Sequence, residues 1–412
     1  MCQTWYLYYP RFTYRYVSLS LILCSPPTDS NYPAPGGQNT DWHSDHGTHI
    51  AAFWLHKDFQ DRVVWLWQEL AKHYRDNAWI AGYNPLNEPT DPSHTTVVQF
   101  YDRIYHAIRG IDSHHAIFFD GNTFASDFSH FGDYYKKWEN TAYSIHDYSL
   151  FGFPQSPSFV GSEEQHRRMQ RSYEKKREWM DERGLCVWNG EWGPVYARKE
   201  YDGDKTDEIN GVRYRVLKAQ LGIYNKVNSI VLFLGAMNTI RSPQDRLSWA
   251  IWLYKDIGFQ GMVYVPQETA YRTLFKDFLA KKHRLGDIYR KVALILFTKL
   301  LYILAIDAWG ADTSKVQHIY QPLIDHLTQE IPEEFRQLYP FPVWKMSDRV
   351  GRLARNILIA EYLVQEWAEH FQGKSEEEID AIAQSFKFEN CLHREELNKI
   401  LQENASLVAK SN

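Results

Sequence analysis

The stretch Trp79-Ile-Ala-Gly-Tyr-Asn-Pro-Leu-Asn-Glu88-Pro89 decides the fold. An apolar, aromatic-rich run ends in a polar pair and then breaks at proline. A strand buried on both faces reads this way when it carries a carboxylate to its C-terminal end. About a hundred residues further on, Leu185-Cys-Val-Trp-Asn-Gly-Glu191-Trp-Gly-Pro194 repeats the pattern. Either stretch alone is a common turn. Together they describe two glutamates delivered to one end of one sheet, against the plainer reading of two unrelated loop glutamates.

Working outward, helices and strands alternate. Phe59 to Tyr74 is an expected helix, with Val63, Leu66, Trp67, Leu70 and Tyr74 on one stripe. Val97 to Ile111, Glu163 to Arg183 and Tyr214 to Tyr224 are further expected helices. The expected strands are Trp79 to Asn87, His115 to Gly121, Thr141 to Tyr148, Leu185 to Glu191 and Ser248 to Leu253. Apolar strands alternating with helices imply an α/β fold with a parallel sheet. Polar residues at several strand ends select a (β/α)8 TIM barrel. A doubly wound nucleotide-binding sheet lacks its glycine fingerprint here.

Composition narrows the function without naming it. The chain has 412 residues and a formal net charge of -5. No basic excess points to nucleic acid. Four scattered cysteines form neither a disulfide framework nor a zinc pattern. Aromatic residues make up 16% of the chain. Such rings stack on the apolar faces of sugars, but they also fill large cores. Two facing carboxylates suit cleavage of a glycosidic bond, one as acid/base and the other as nucleophile or second base.

At these motifs the chain resembles glycoside hydrolase family 5, and within it fungal members related to exo-1,3-beta-glucanases. The resemblance rests on Pro35-Gly-Gly-Gln-Asn39, Asn87-Glu88-Pro89, His146-Asp-Tyr148, Gly190-Glu191-Trp192-Gly193 and Trp249-Ala-Ile-Trp252-Leu-Tyr-Lys255. It implies a retaining beta-glycosidase acting on a beta-glucan or beta-glucoside. Glu88 would be the acid/base and Glu191 the nucleophile. Asn87 would bind the sugar 2-hydroxyl, Tyr148 would bond to the nucleophile, and His146 would help to set the acid/base. Trp252 would be the stacking platform. The resemblance implies no cofactor and no metal ion. It implies a carbohydrate as the partner, and a monomer is expected.

Three features depart from the family pattern. The Pro-Gly-Gly-Gln-Asn turn follows Thr28-Asp-Ser-Asn-Tyr-Pro33, which lacks the expected upstream histidine. The first two strand–helix units are therefore read as missing. A catalytically impaired, truncated barrel that at most binds carbohydrate is the rival expectation. Residues 227–244 interrupt the approach to the last strand. Joining Lys226 to Asp245 restores a smooth connection, and valine and glutamine codons can supply intron borders, so a retained intron is the reading, with a genuine insertion as the alternative. Residues 287–306 are unusually apolar, but they contain Lys299 and their uninterrupted apolar run is short of the ~20 residues of a membrane span, so a core helix or a second translated intron is the reading over a span.

The domain reading is an atypical segment over 1–30, a barrel over 31–310 with those two inserts, and a helical extension over 311–412. Ser347 or Asp348 would cap a helix running to Phe371 in that extension, and Ser375 with Glu378 forms a capping box for the next. Val17 to Cys24 is a poor signal segment, which favours the cytoplasm over secretion. His43, His46 and His49 are spaced like metal ligands, but Gly47 breaks any helix between them, and a rim loop is the preferred reading.

Overall fold

The computed structural model describes residues 34–40, 44, 51–154, 157–225, 247–280 and 364–410, together with the backbone of 21–24 and short helical pieces between 322 and 330. The segments 227–244 and 287–306, the three closely spaced histidines His43, His46 and His49, and the start of the helix expected from residue 347 or 348 lie outside the described residues.

Six strands form one parallel sheet: β1 (Leu21–Cys24), β2 (Ile80–Asn84), β3 (Ala116–Asp120), β4 (Thr141–His146), β5 (Val187–Glu191) and β6 (Ser248–Trp249). Their order in space is their order in sequence. All five pairings are parallel. A doubly wound sheet reverses direction at a switch point. An unreversed parallel order with helical crossovers is the wiring of a (β/α) barrel. Among the described residues β6 does not pair with β1, so the described strands form an open arc.

The crossover helices are α1 (Lys57–Tyr74), α2 (Thr96–Arg109), α3 (Glu163–Arg183) and α4 (Thr206–Tyr224). The bounds of α3 follow from its caps. The Ser162 hydroxyl accepts the Gln165 N–H while Gln165 accepts that of Ser162, and Gly184 ends the helix at φ 72. Val63 and Trp67 of α1, Phe100 and Ile104 of α2, Met180 of α3 and Leu217 of α4 pack on the outward residues Ile117, Phe119, Tyr143 and Ile145 of the sheet. Successive strand residues alternate faces. Phe118, Ala142, Trp188 and Ala250 therefore form a small apolar layer on the other face. Two residues further along β3 and β4, Asp120 and Ser144 begin a polar layer, and His146 follows. This step from apolar to polar at the C-terminal strand ends builds the site.

Beyond β6 lies a feature that periodicity does not reveal. Strands β7 (Lys255–Asp256), β8 (Val263–Tyr264) and β9 (Leu392–His393) form a second sheet, with β9 antiparallel to β8. Each has two residues, too short for a hydrophobic pattern. Of the C-terminal helices, α5 (Val364–Glu369), α6 (Glu376–Gln384) and α7 (Glu395–Lys410) are described. Leu397, Ile400 and Leu401 of α7 join the main core. Buried Arg394 donates to the carbonyls of Gly258 and Gly261. The Ser375–Glu378 capping box is present at the start of α6.

Sequence periodicity overextended the strands. β2 ends at Asn84, so Asn87 and Glu88 come from the loop beyond it. β6 ends at Trp249, so Trp252 also follows the strand. Pro85 halts the first ladder because it has no N–H to donate. In the opposite sense, α4 starts earlier than expected, at Thr206.

Candidate active site

Glu88 sits on a strained turn held from several sides. Its backbone is left-handed, at φ 48, a conformation a non-glycine residue keeps only when its surroundings impose it. The Glu88 N–H donates to Asp120 Oδ2 at 2.9 Å. The Glu88 carbonyl accepts Asn39 Nδ2 at 3.0 Å, and the Asn87 carbonyl accepts Gln38 Nε2 at 3.0 Å. Gln38 and Asn39 are fully buried. The Pro-Gly-Gly-Gln-Asn turn thus serves as the clamp on the Asn87–Glu88 loop.

Glu191 arrives by a different device. Ile145 pairs with Asn189, but His146 pairs with Glu191, so Gly190 is one extra residue in β5. The bulge turns Glu191 onto the face that His146 occupies, where strict alternation would send it outward. Only glycine fits there. A Cβ at Gly190 would lie 2.8 Å from Ser144 Oγ and 3.1 Å from His146 Nε2.

Between the two glutamates stands His146, 4% exposed at its side chain. Its Nδ1 is 2.7 Å from Glu88 Oε1 and 3.6 Å from Glu191 Oε2. One donor atom from each of the three residues lies within 4.8 Å of the others. That spacing is compatible with the about 5–5.5 Å between the carboxyl groups of retaining glycosidases. The Tyr148 hydroxyl donates to Glu191 Oε2 at 3.0 Å. Asp147, between His146 and Tyr148, is anchored by Lys176 Nζ at 2.8 Å and the Tyr224 hydroxyl at 2.8 Å. Those contacts from α3 and α4 hold the His146-Asp-Tyr148 segment.

One group in the site was not singled out from sequence. Asp120 is fully buried. Its Oδ1 accepts Asn84 Nδ2 at 2.9 Å, and its Oδ2 lies 3.6 Å from His146 Nε2. The run Ala116-Ile-Phe-Phe-Asp120 has the same signature as the two glutamate strands, an apolar stretch ending in a carboxylate. That signal was available.

Electrostatics follow from the crowding. Burial pulls the His146 pKa down, but the charges of Glu191, Asp120 and Glu88 outweigh it and push it up to about 10. Burial raises Glu191 to about 7; His146 and the Tyr148 hydroxyl oppose the rise, and the like charge of Glu88 adds to it. Burial also raises Asp120, against the pull of His146. The paired glutamates thus keep a proton at a pH where free carboxylates have lost theirs.

Of the six residues expected at the site, Glu88, His146, Tyr148 and Glu191 are brought into contact, and Asn87 adjoins Glu88. Trp252 is half-buried at the same end of the sheet, its N–H bonded to the Trp192 carbonyl at 2.8 Å. Glu88, His146 and Glu191 also have the donors to hold a metal ion. The direct 2.7 Å contact of His146 Nδ1 with Glu88 Oε1 already engages both of those atoms in a hydrogen bond.

Two partly buried glutamates, with oxygens within 4.8 Å of each other at the C-terminal end of a (β/α) barrel sheet, are the arrangement expected of a glycoside hydrolase. The family described as cellulase (glycosyl hydrolase family 5) matches residues 38–228. A protein from Phanerodontia chrysosporium named beta-xylosidase is 68% identical over 380 residues, covering 92% of this chain and 72% of that protein. The chain belongs to glycosyl hydrolase family 5. Among solved structures, Thermotoga maritima Cel5A with mannotriose is 20% identical at a TM-score of 0.39, over 52% of this chain and 65% of that one. The cellulose synthase subunit Z of Clostridioides difficile is 17% identical at a TM-score of 0.38, over 50% and 63%. The chain spans less than two thirds of either solved structure.

Proposed function

We propose that the protein is a retaining beta-glycosidase cleaving a beta-glucoside or beta-glucan by double displacement. The observation that carries this is the approach of the Glu88 and Glu191 carboxylates, which bring an oxygen each to within 4.8 Å, a spacing that fits the about 5–5.5 Å of retaining enzymes better than the roughly 6.5–9.5 Å of inverting ones. In the first step Glu191 attacks the anomeric carbon while Glu88 protonates the departing oxygen. In the second, Glu88 takes a proton from water, whose oxygen displaces Glu191 from the same carbon. The Tyr148 hydrogen bond supports Glu191 as the nucleophile, since a donor favours the ionised carboxylate. Trp252 would stack on the sugar, and Asn87 would bind its 2-hydroxyl.

A beta-xyloside is the second reading, favoured by the name of the Phanerodontia relative. Xylose differs from glucose only by the missing hydroxymethyl group, so the same two carboxylates serve both. Aryl beta-glucoside and aryl beta-xyloside should be compared by kcat/KM, with proton NMR following the first anomer released. The proposal expects the beta anomer first and a preference for the glucoside. Release of the alpha anomer would contradict retention, and a preference for the xyloside would favour the second reading.

A further inference from the structure

We propose that His94, Asp127 and His130 form a binding site for a zinc-class divalent cation on the rim of the active-site face. His94 lies on the loop after β2 that carries Glu88, and Asp127 and His130 lie on the loop after β3. One donor atom from each comes within 4.8 Å of the others. His94 Nδ1 and Asp127 Oδ2 are 3.5 Å apart. That is too long for an ordinary hydrogen bond. It matches the spacing of two tetrahedral ligands at ~2.1 Å from zinc, about 3.4 Å. The His94 and His130 rings lie 4.7 Å apart.

The supports around these side chains orient them. Asp127 Oδ1 accepts the Ser129 N–H at 2.9 Å, while Oδ2 faces His94. His94 is held at φ 59, its N–H bonded to the Asp91 carbonyl at 3.2 Å. Buried Asn122 ties the two loops together. Its Nδ2 donates to the Asp91 carbonyl at 3.0 Å, its Oδ1 accepts the Asp91 N–H at 2.8 Å, and its own carbonyl accepts the Asp127 N–H at 2.8 Å. These bonds fix the direction of the amide, so the Nδ2 found 3.1 Å from His94 Nδ1 makes that ring nitrogen an acceptor. An unprotonated nitrogen is what a metal ion requires. The cation takes that lone pair, and Asn122 keeps its bond to Asp91.

Two imidazoles and one carboxylate select zinc and its neighbours over calcium and magnesium, which prefer all-oxygen shells. Water completes the tetrahedron. Bound there, the ion links the Glu88 loop to the loop after β3.

The test is calorimetric titration of the chelator-stripped full chain with zinc chloride, beside His130→Ala and Glu191→Gln. His130 is exposed, and an unchanged zinc-free Tm checks that its variant folds. The expected result is one ion per chain, with a zinc-dependent rise in Tm. His130→Ala should weaken binding at least tenfold and abolish the rise, while Glu191→Gln keeps both. No zinc on the parent would overturn the proposal. So would unchanged affinity in His130→Ala, or loss in Glu191→Gln alone, which would put the ion at the catalytic carboxylates.

Discussion

Replacing Asp120 by asparagine keeps the shape of the side chain and removes its charge. Its two closest partners are donors: the Glu88 N–H at 2.9 Å and Asn84 Nδ2 at 2.9 Å. His146 Nε2 approaches from a third side at 3.6 Å. An asparagine offers one acceptor oxygen, so its amide must confront one donor with another. A buried donor left unsatisfied costs about 1–3 kcal/mol. If that falls on the left-handed Glu88 turn, the proposed acid/base is misplaced, and kcat/KM drops by roughly tenfold to a hundredfold. The pH profile moves as well. Burial raises Glu191 to about 7, and the negative charge of Asp120 is among the smaller contributions in the same direction. In the proposed mechanism the working form carries one proton on the glutamate pair, and it is lost as pH rises past that value. Removing Asp120's charge favours the deprotonated pair, so the alkaline limb of kcat/KM shifts to lower pH. The assay is kcat/KM on an aryl beta-glucoside against pH, after circular dichroism shows parental folding. A folded variant within twofold of the parent, with an unmoved alkaline limb, would refute the reasoning.

Tyr148→Phe should move the same limb the other way. It deletes the hydrogen bond that holds Glu191 down; a bond to a charged group is worth about 1.5–3 kcal/mol, so kcat should fall by roughly tenfold to a hundredfold while the limb shifts to higher pH. Glu88→Gln removes the proposed acid, a contribution of roughly 10²–10⁴-fold; substrates with acidic phenol leaving groups should lose less than alkyl glycosides, and equal losses on both would contradict the role. Leu397→Ala tests the anchoring of α7. Leu397 is fully buried in the main core, and a truncation of this kind costs about 2–5 kcal/mol, read as a lower urea midpoint; an unchanged midpoint would show that α7 adds nothing to barrel stability.

The glutamates were legible because a buried parallel strand leaves a recognisable trace, an apolar run that ends abruptly in a carboxylate. Asp120 carries the same trace, but it lies inside Phe118-Phe119-Asp120-Gly121, where the run reads as core. How Glu191 turns inward was not legible, because a bulge is one residue of backbone slip, and Gly190 hints at it only once the register with β4 is known. The Pro35-to-Asn39 turn was visible as a motif, but its clamp on Asn87 and Glu88 joins residues 49 apart in sequence. The pairing of β8 with β9 joins segments more distant still, through strands of two residues. Helices were read best, since α3 carries its own start and stop signals in Ser162, Gln165 and Gly184.

Glu191 as the nucleophile of a folded retaining site is the central proposal. Intact-mass analysis after incubation with a 2-deoxy-2-fluoro-beta-glucosyl fluoride tests this directly, because the fluorine slows release of the glycosyl-enzyme more than its formation. One added 2-fluoroglucosyl group on the parent, mapped to Glu191 and absent from Glu191→Gln, is the predicted result. A label on another residue, or equal labelling of the variant, would contradict it.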